Sequence, residues 1–490
     1  MVATGLVLIP GAGSQAPSTR VAVRVVPLFT PERYASEGAV GSMVPASGST
    51  VSRETALLSL THGKLENALL GGKPKGKPLI RLGGPPAPVT IYVALPPSGK
   101  HHNLDRYPIA VVGGGYRGLL LSSSTHIPGL VSIADVAPTV RSLEQGKKPI
   151  LTSRPAREAP AQLATMNARL NAAHFARRQS TRVLIGLVFG FAALAWLLRS
   201  PLFARASLLS IPAMVLASTI ASGLHVEHAV AWWSGAIALA LTVPLAVAAH
   251  TRPLFTWGLA GLLGTYAVFL GGWPATVSLA ALGPHPEGGG RYFGLTNQVE
   301  TLLLAPALAV GALVELPALA VVALASLIVV GWSRLGADGG GLIVYAAGFA
   351  TLALLGFRGR VTLMRAALAA GGVVAVGLAL VGIDALTGGS SHVTHAVGGG
   401  PGGLLSDLGH RLRLSWHGIV NKIDHLWIAA VSVVTLVVLA LLRPRSRTLD
   451  AFLVALAVSL LVNDSGFDIL RFGALAGIAV FTWSRIAARQ

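Results

Sequence analysis

The chain of 490 residues contains no cysteine, which excludes disulfide staples, thiolate nucleophiles and Cys-based metal sites. Any metal would have to be held by His, Asp or Glu. Charge is scarce too: Asp, Glu, Lys and Arg make up 12% of the residues, about half the share found in ordinary soluble domains. Acidic residues are the scarcer sign, 19 against 38 Lys and Arg, leaving a net charge of +19. So basic a chain raises the question of nucleic acid. The basic residues form no aromatic-interleaved stripe, however, and many stand at the ends of apolar runs, so nucleic acid is not an expected partner.

What is abundant is apolar surface. Hydrophobic residues make up 53% of the chain and the mean hydropathy is +0.66, a composition that needs lipid as part of its solvent. This surplus is unevenly distributed. Residues 1–180 hold most of the Pro and Lys and no apolar run long enough to span a bilayer, whereas from Val183 onward such runs follow almost without break. Two parts are expected: an extracytoplasmic α/β domain over 1–180 and a transmembrane helical domain over 181–490. The apolar stretch Gly5–Ile9 has no basic residues before it and reads poorly as a signal peptide, so Met1 need not be the natural start.

About 17–25 apolar residues cross the hydrocarbon core of a bilayer. That criterion predicts a polytopic α-helical bundle of about eleven spans: 183–198, 207–224, 229–249, 254–272, 299–314, 316–333, 342–357, 361–383, 426–442, 449–463 and 469–484. The division of 299–333 into two helices rests on Glu315-Leu316-Pro317; one long tilted helix or a re-entrant pair fits the same letters. Counting Lys and Arg in short loops orients the bundle. With the first span running inward, Arg199, Arg205, Arg252, Arg358, Arg360, Arg443, Arg445, Arg447, Arg485 and Arg489 are cytoplasmic, as is the C-terminus. Residues 1–180 and the long loops 273–298 and 384–425 are then extracytoplasmic. Arg177, Arg178 and Arg182, just before the first span, oppose this assignment.

Ionisable residues near membrane depth are functional candidates. Four clusters fall on the extracytoplasmic side. The first, Gly288 to Glu300, holds Arg291, a bidentate donor suited to phosphate or carboxylate, behind glycines whose amides can approach an anion. Asn297 and Glu300 follow three apart on one helical face. Arg291 fits either ligand contact or a structural ion pair with Glu300 or Asp338. The second, Ser333 to Gly341, contains Arg334, Asp338 and a triple glycine that can also be a plain connector. The third, Asp384 to His395, carries His392 and His395, either surface histidines or a general base, and precedes an amphipathic segment, Leu404–His425. The fourth is Asn463-Asp464-Ser465-Gly466 with Asp468 and Arg471; Asp464 reads as a helix cap or a catalytic carboxylate. The assignment is thus His392, His395 and Asp464 as catalytic candidates and Arg291, Asn297, Glu300, Arg334, Asp338 and Arg471 as substrate-binding candidates, with no metal and no cofactor expected.

The first part alternates β-rich runs with turn residues: Val21–Val26, Val89–Leu95, Ile109–Val112 and Leu130–Ile133. Asp135 is expected to cap a helix starting near Pro138. The stretch 108–140, a strand, a Gly-rich turn and Ala134-Asp-Val-Ala-Pro-Thr139, resembles the C-terminal part of alkaline-phosphatase-superfamily domains. That resemblance implies an Asp metal ligand at the end of the first strand, which Val21–Phe29 does not supply. Thr50 lies where the nucleophile would fall, but without metals its hydroxyl is weak at neutral pH. A degenerate, non-hydrolytic domain is therefore expected. His101 and His102, with no carboxylate cluster near them in sequence, read as solvated.

Around 291–345 the membrane part resembles glycan ligases and polymerases of the O-antigen ligase type, through Arg291, Gly294 and Asn297 and then Ser333-Arg334, although the Arg-to-Asn spacing is short and Leu335 replaces a glycine. The resemblance implies that Arg291 and Arg334 grip a lipid-linked diphosphate while His392, His395 or His410 acts as base. As a whole, the chain resembles bacterial membrane proteins that pair an alkaline-phosphatase-like outer domain with a multi-span bundle, which implies the cytoplasmic (inner) membrane. Three functions stay open: an enzyme that binds or transfers a lipid-linked, phosphate-bearing glycan intermediate, a non-enzymatic scaffold or receptor whose outer domain binds a protein partner, and a lipid or glycolipid transporter. Few charges lie mid-span, which tells against ion-coupled transport.

Overall fold

The computed structural model describes residues 18–66, 77–356 and 423–487, with a few isolated helical positions between 364 and 420. The chain forms two compact units. Met1–Asn167 and His285–Tyr292 make up the first, Ala168–Pro284 and Phe293–Gln490 the second.

The first unit is built on one mixed sheet ordered β1-β4-β6-β2-β7-β9, with β8 also pairing β2. Its strands are β1 (Val21–Val26), β2 (Gly38–Val44), β4 (Val89–Ala94), β6 (Tyr107–Gly113), β7 (Gly118–Ser122), β8 (Leu130–Ser132) and β9 (Leu151–Arg154). β1 runs parallel to β4 with Val21 opposite Val89, and β6 runs antiparallel to both β4 and β2. Every residue of β2 is buried, as a central strand covered on both faces requires. A separate ribbon pairs β3 (Thr50–Ser52) with β5 (Lys100–His102), setting Thr50 opposite His102. The four strand runs predicted from the sequence coincide with β1, β4, β6 and β8. β2 was not predicted, because its two glycines and Ser42 dilute the alternation that marks a strand.

Asp135 plays a different part from the cap expected at Pro138. The helix α3 (Val136–Glu144) starts two residues earlier, and Asp135 makes no side-chain bond to it. Its carboxylate instead accepts from Ser122 Oγ at 2.7 Å, Ser124 Oγ at 2.7 Å and Ser132 N–H at 3.1 Å. It thereby closes a capping box with Ser132 on a short 3-10 turn and ties that turn to the end of β7. The edge strand β9 is held from the same region: Tyr116 is buried and donates its hydroxyl to Leu151 O at 2.7 Å. Burial pushes the Tyr116 phenol up to about 12 from 10.0. Tyr116→Phe is expected to cost about 1 kcal/mol, read by chemical denaturation. Because the folded phenol keeps its proton more tightly, its contribution is intact below pH 10 and is lost as pH rises through about 12. The phenylalanine variant should lack that alkaline slope.

In the second unit, every expected span that falls on described residues coincides with a helix. α4 (Ala159–Leu198) begins within the residues of the first unit, well before the predicted 183, so that Arg177, Arg178 and Arg182 lie inside it. α5 (Pro201–Gly223), α6 (Val230–Ala248) and α7 (Arg252–Gly272) follow, and after the short α8 (Pro274–Ser278) come α9 (Asn297–Leu313), α10 (Leu316–Gly331) and α11 (Gly339–Gly356). α12 (Ile423–Leu441), α13 (Arg447–Val462) and α14 (Gly466–Ile486) end the bundle. Among the described residues seven helices are long and apolar enough to cross a membrane: α4, α5, α6, α7, α11, α12 and α14; α9 and α10 are apolar but shorter. Such helices are compatible with a membrane-embedded, multi-pass protein. α9 and α10 are separate, with Pro317 in the first turn of α10, so Glu315-Leu316-Pro317 is a break. The predicted span 361–383 lies outside the described residues.

α5 is the central helix: 89% of its apolar window is buried, against 28% for α4 and 17% for α12. Its serines can occupy that position because their hydroxyls find partners within the bundle. Ser207 donates to Val188 O at 3.0 Å, Ser210 to Ser207 O at 2.9 Å and Ser222 to Thr276 O at 2.9 Å, so burial leaves these hydroxyls paired. α9 and α14 pack against α5, while α4 and α12 turn large apolar side chains such as Leu197, Trp427 and Val431 outward.

Candidate functional site

The site is assembled where α9, α11 and α14 begin, at one end of the second unit. α9 is capped by Thr296, whose hydroxyl accepts from Val299 N–H at 3.2 Å. Just before the cap, Gly294 sits at φ +84° and Leu295 N–H donates to Gly336 O at 2.8 Å. A Cβ on residue 294 would overlap that same carbonyl. Gly336 belongs to the turn between α10 and α11, which folds back on α10: Gly336 N–H reaches Val329 O at 2.8 Å and Asp338 N–H reaches Val330 O at 3.0 Å. Asp338 is buried and accepts from Gly341 N–H at 3.1 Å, so it caps α11. On the third junction, between α13 and α14, Asn463 is buried and donates to Ser459 Oγ at 3.0 Å.

Side chains join the three junctions. Asn297 Nδ2 donates to Asp464 Oδ1 at 2.9 Å, linking α9 to the α13–α14 turn, and Ser465 Oγ lies 3.2 Å from the same oxygen. Glu300, one turn into α9, is fully buried. Gly341 lies against its carboxylate, where a Cβ would come within 2.8 Å of it, and Tyr345 of α11 donates its hydroxyl to Glu300 O at 3.2 Å. Gly340 likewise lies against the Asn463 side chain. The triple glycine of 339–341 is therefore more than a connector, because it lets α11 start in contact with the polar end of α9.

Four of the residues selected from the sequence, Asn297, Glu300, Asp338 and Asp464, are thus gathered at one end of the bundle, and Arg334 is exposed on the same α10–α11 turn. Carboxylates and carboxamides dominate this cluster. Such groups accept from hydroxyls and hold cations, while an anion would need Arg334. Arg471 is placed elsewhere. It pairs with Asp468 at 2.8 Å on α14, its guanidinium lies 4.4 Å from the Phe472 ring centroid, and it turns toward α4 and α12. His392, His395 and His410 lie outside the described residues.

Arg291 belongs to the first unit. The segment His285–Tyr292 is built into that unit through a Gly48 N–H to Gly288 O bond of 2.9 Å and through Gly289, packed against Ala46. Buried Glu287 acts electrostatically on Arg106, whose guanidinium is held below its ordinary value chiefly by burial. Burial also holds the Tyr292 phenol well above its ordinary value, beside Ser132 and Asp135. The sequence treats 273–298 as one loop and offers only the Pro and Gly content of 284–290 as a sign of this seat.

Thr50 and His102 face each other across the β3–β5 ribbon and His101 Nε2 lies 2.9 Å from Ser98 O. Among the described residues no group of three or more His, Asp or Glu is placed to hold a metal. Asn463 is named in the fourth cluster without a role and Tyr345 is not singled out by the sequence; a polar group inside an otherwise apolar run is the signal available for Tyr345. The chain matches no protein-family model, no curated protein and no solved structure.

Proposed function

We propose that the chain is a multi-pass protein of a bacterial cytoplasmic membrane that binds, at the extracytoplasmic end of its bundle, the headgroup of a lipid-linked, phosphate-bearing glycan intermediate of the cell envelope. The observation that carries this reading is the joining of Asn297, Glu300, Asp338 and Asp464 where three helices begin. Sugar hydroxyls are donors that carboxylates and carboxamide oxygens accept, and Arg334 on the adjoining turn supplies the cation a phosphate needs. The arginine distribution supports the orientation, because the strongest cluster, Arg443 and Arg445 between α12 and α13 with Arg447 at the start of α13, lies at the end away from the α13–α14 turn. In a transfer reaction, Asp464, His392 or His395 would take the proton of the acceptor hydroxyl. The first unit, whose β1 carries no carboxylate, is read as a degenerate phosphatase-like domain without hydrolytic activity.

A scaffold or receptor is the second reading, and one observation favours it: Asp338 caps α11 and Asn297 pairs with Asp464, so local structure accounts for both contacts. Mass spectrometry of lipids that co-purify with the protein separates the two. The expected result is a phosphate- and sugar-bearing lipid retained by the wild type and reduced at least tenfold in an Asn297→Ala, Asp464→Ala double variant of unchanged thermal stability. Equal retention, or no such lipid in either protein, would remove the glycan reading in favour of the scaffold.

A further inference from the structure

Further along α14 from the Asn297–Asp464 junction, α4, α12 and α14 line an open cleft of about 310 Å³. Among the described residues its walls are Ile185 and Phe189 of α4, Trp427, Ile428, Val431, Ser432 and Thr435 of α12, and Arg471, Ala474, Leu475 and Ile478 of α14. The two polar wall residues on α12 look inward to their own helix: Ser432 Oγ donates to Ile428 O at 2.7 Å and Thr435 Oγ1 to Val431 O at 2.8 Å. The cleft therefore offers hydrocarbon along its length and one cation, Arg471, at one end. Its walls are not hidden in the bundle, since Val431 is 64% and Trp427 68% exposed.

The charged end is a small constellation. Arg471 Nη2 is 2.8 Å from Asp468 Oδ1, its guanidinium carbon lies 5.0 Å from the Phe467 ring centroid, and His425 stacks on that same ring at 4.1 Å. Arg177 of α4 and His425 both act electrostatically on Asp468. Among the described residues that line the cleft Arg471 is the charged one, and its partner Asp468 is not part of the lining. All of this sits within the first two turns of α14 and at the start of α12, about 8 Å along α14 from its first residue at 1.5 Å per residue. In a bilayer that depth is where an arginine reaches the headgroup layer while its stem stays in hydrocarbon, and Trp427 stands where interfacial aromatics collect.

We propose that this cleft is a binding site for an anionic phospholipid, with an acyl chain lying along Phe189, Val431 and Ile478 and the phosphate paired with Arg471. Charge complementarity selects the occupant. A hydrocarbon chain satisfies walls whose polar groups are already paired, and a phosphate meets the one charge that lines them, Arg471, whereas a zwitterionic lipid presents its own cation to the same end. The inference rests on the bundle lying in a membrane, and it stands apart from the glycan headgroup cluster.

The test uses the full chain purified in detergent and equilibrated with equal amounts of phosphatidylglycerol and phosphatidylcholine carrying identical acyl chains, with bound lipid counted by native mass spectrometry. The wild type is expected to retain phosphatidylglycerol several-fold over phosphatidylcholine. Arg471→Gln should bring that ratio close to one. Val431→Trp, at an exposed position that tolerates bulk, should fill the cleft and lower retention of both lipids severalfold. The Asn297→Ala, Asp464→Ala variant should retain phosphatidylglycerol as the wild type does, so loss of glycolipid in that variant leaves this site intact. A wild-type ratio near one, or undiminished retention in Val431→Trp, would overturn the proposal; should Arg471→Gln fail to fold, those two readings still decide it.

Discussion

Gly294→Val is expected to lower the stability of the protein by about 3 kcal/mol or more and to abolish lipid retention at the bundle end. Two effects add. The residue sits at φ +84°, a left-handed conformation that a β-branched side chain does not tolerate, and its Cβ would overlap the Gly336 carbonyl. Neither neighbour can step aside cheaply. Gly336 O accepts the Leu295 N–H, and the Gly336 N–H is itself bonded to Val329 O, so moving it would loosen both the entry to α9 and the turn that leads to Asp338. The contact is backbone against backbone, which side-chain rearrangement cannot relieve. Gly290→Ala is the control: it has ordinary φ and open space around its Cβ position, and it should stay within about 0.5 kcal/mol of the wild type. Thermal unfolding in one detergent distinguishes them. Equal melting of Gly294→Val and wild type would show that the two turns are not clamped together as described.

The second large effect falls on the first unit. Asp135→Ala should destabilise it by about 3 kcal/mol, because the substitution removes the acceptor for Ser122, Ser124 and the Ser132 N–H at a buried position. Asp135→Asn should be far milder, about 1 kcal/mol or less. One oxygen can still accept from Ser122 and Ser132, and the new amide can donate to the Ser124 hydroxyl. The two variants also differ in pH dependence. Burial raises the Asp135 carboxyl above its usual 3.8, and the three serine contacts only partly oppose this. A carboxyl whose pKa is raised on folding contributes stability that is present in full below about pH 4 and lost as pH rises through the folded pKa. The wild type should therefore lose some stability across that acid range relative to Asp135→Asn, in which the titrating group is gone. Denaturant midpoints between pH 3 and 7 check the sign; parallel profiles would rule out a raised carboxyl at this position.

Much of the architecture was legible because it is written in local composition. The apolar runs that became α5, α6, α7, α12 and α14 stand out by length alone, and Pro317 marked the start of α10 because the fixed φ of proline suits a first helical turn. β1, β4, β6 and β8 were visible as short β-branched runs. β2 was not, since its core position compensates for a weak local signal through neighbours on both sides. The length of α4 was also missed, because its first half is polar enough to resemble loop and only the continuing helix shows otherwise. In the candidate site, Asn297 and Glu300 could be paired by their spacing, whereas the Asn297–Asp464 contact joins residues far apart in the chain.

The sequence by itself determined that an α/β part precedes an apolar helical one and roughly where each helix lies, because hydrophobicity and helix-breaking residues act over a few neighbours. Only the tertiary structure decided that α9, α11 and α14 start side by side, that His285–Tyr292 belongs with the first unit, and that Arg471 faces a cleft while Asp464 meets Asn297. Those outcomes depend on how each helix is rotated and which distant surface it packs against. An apolar helix with almost no amphipathic asymmetry specifies neither until glycines such as Gly341 permit one close approach and bulkier side chains forbid the others.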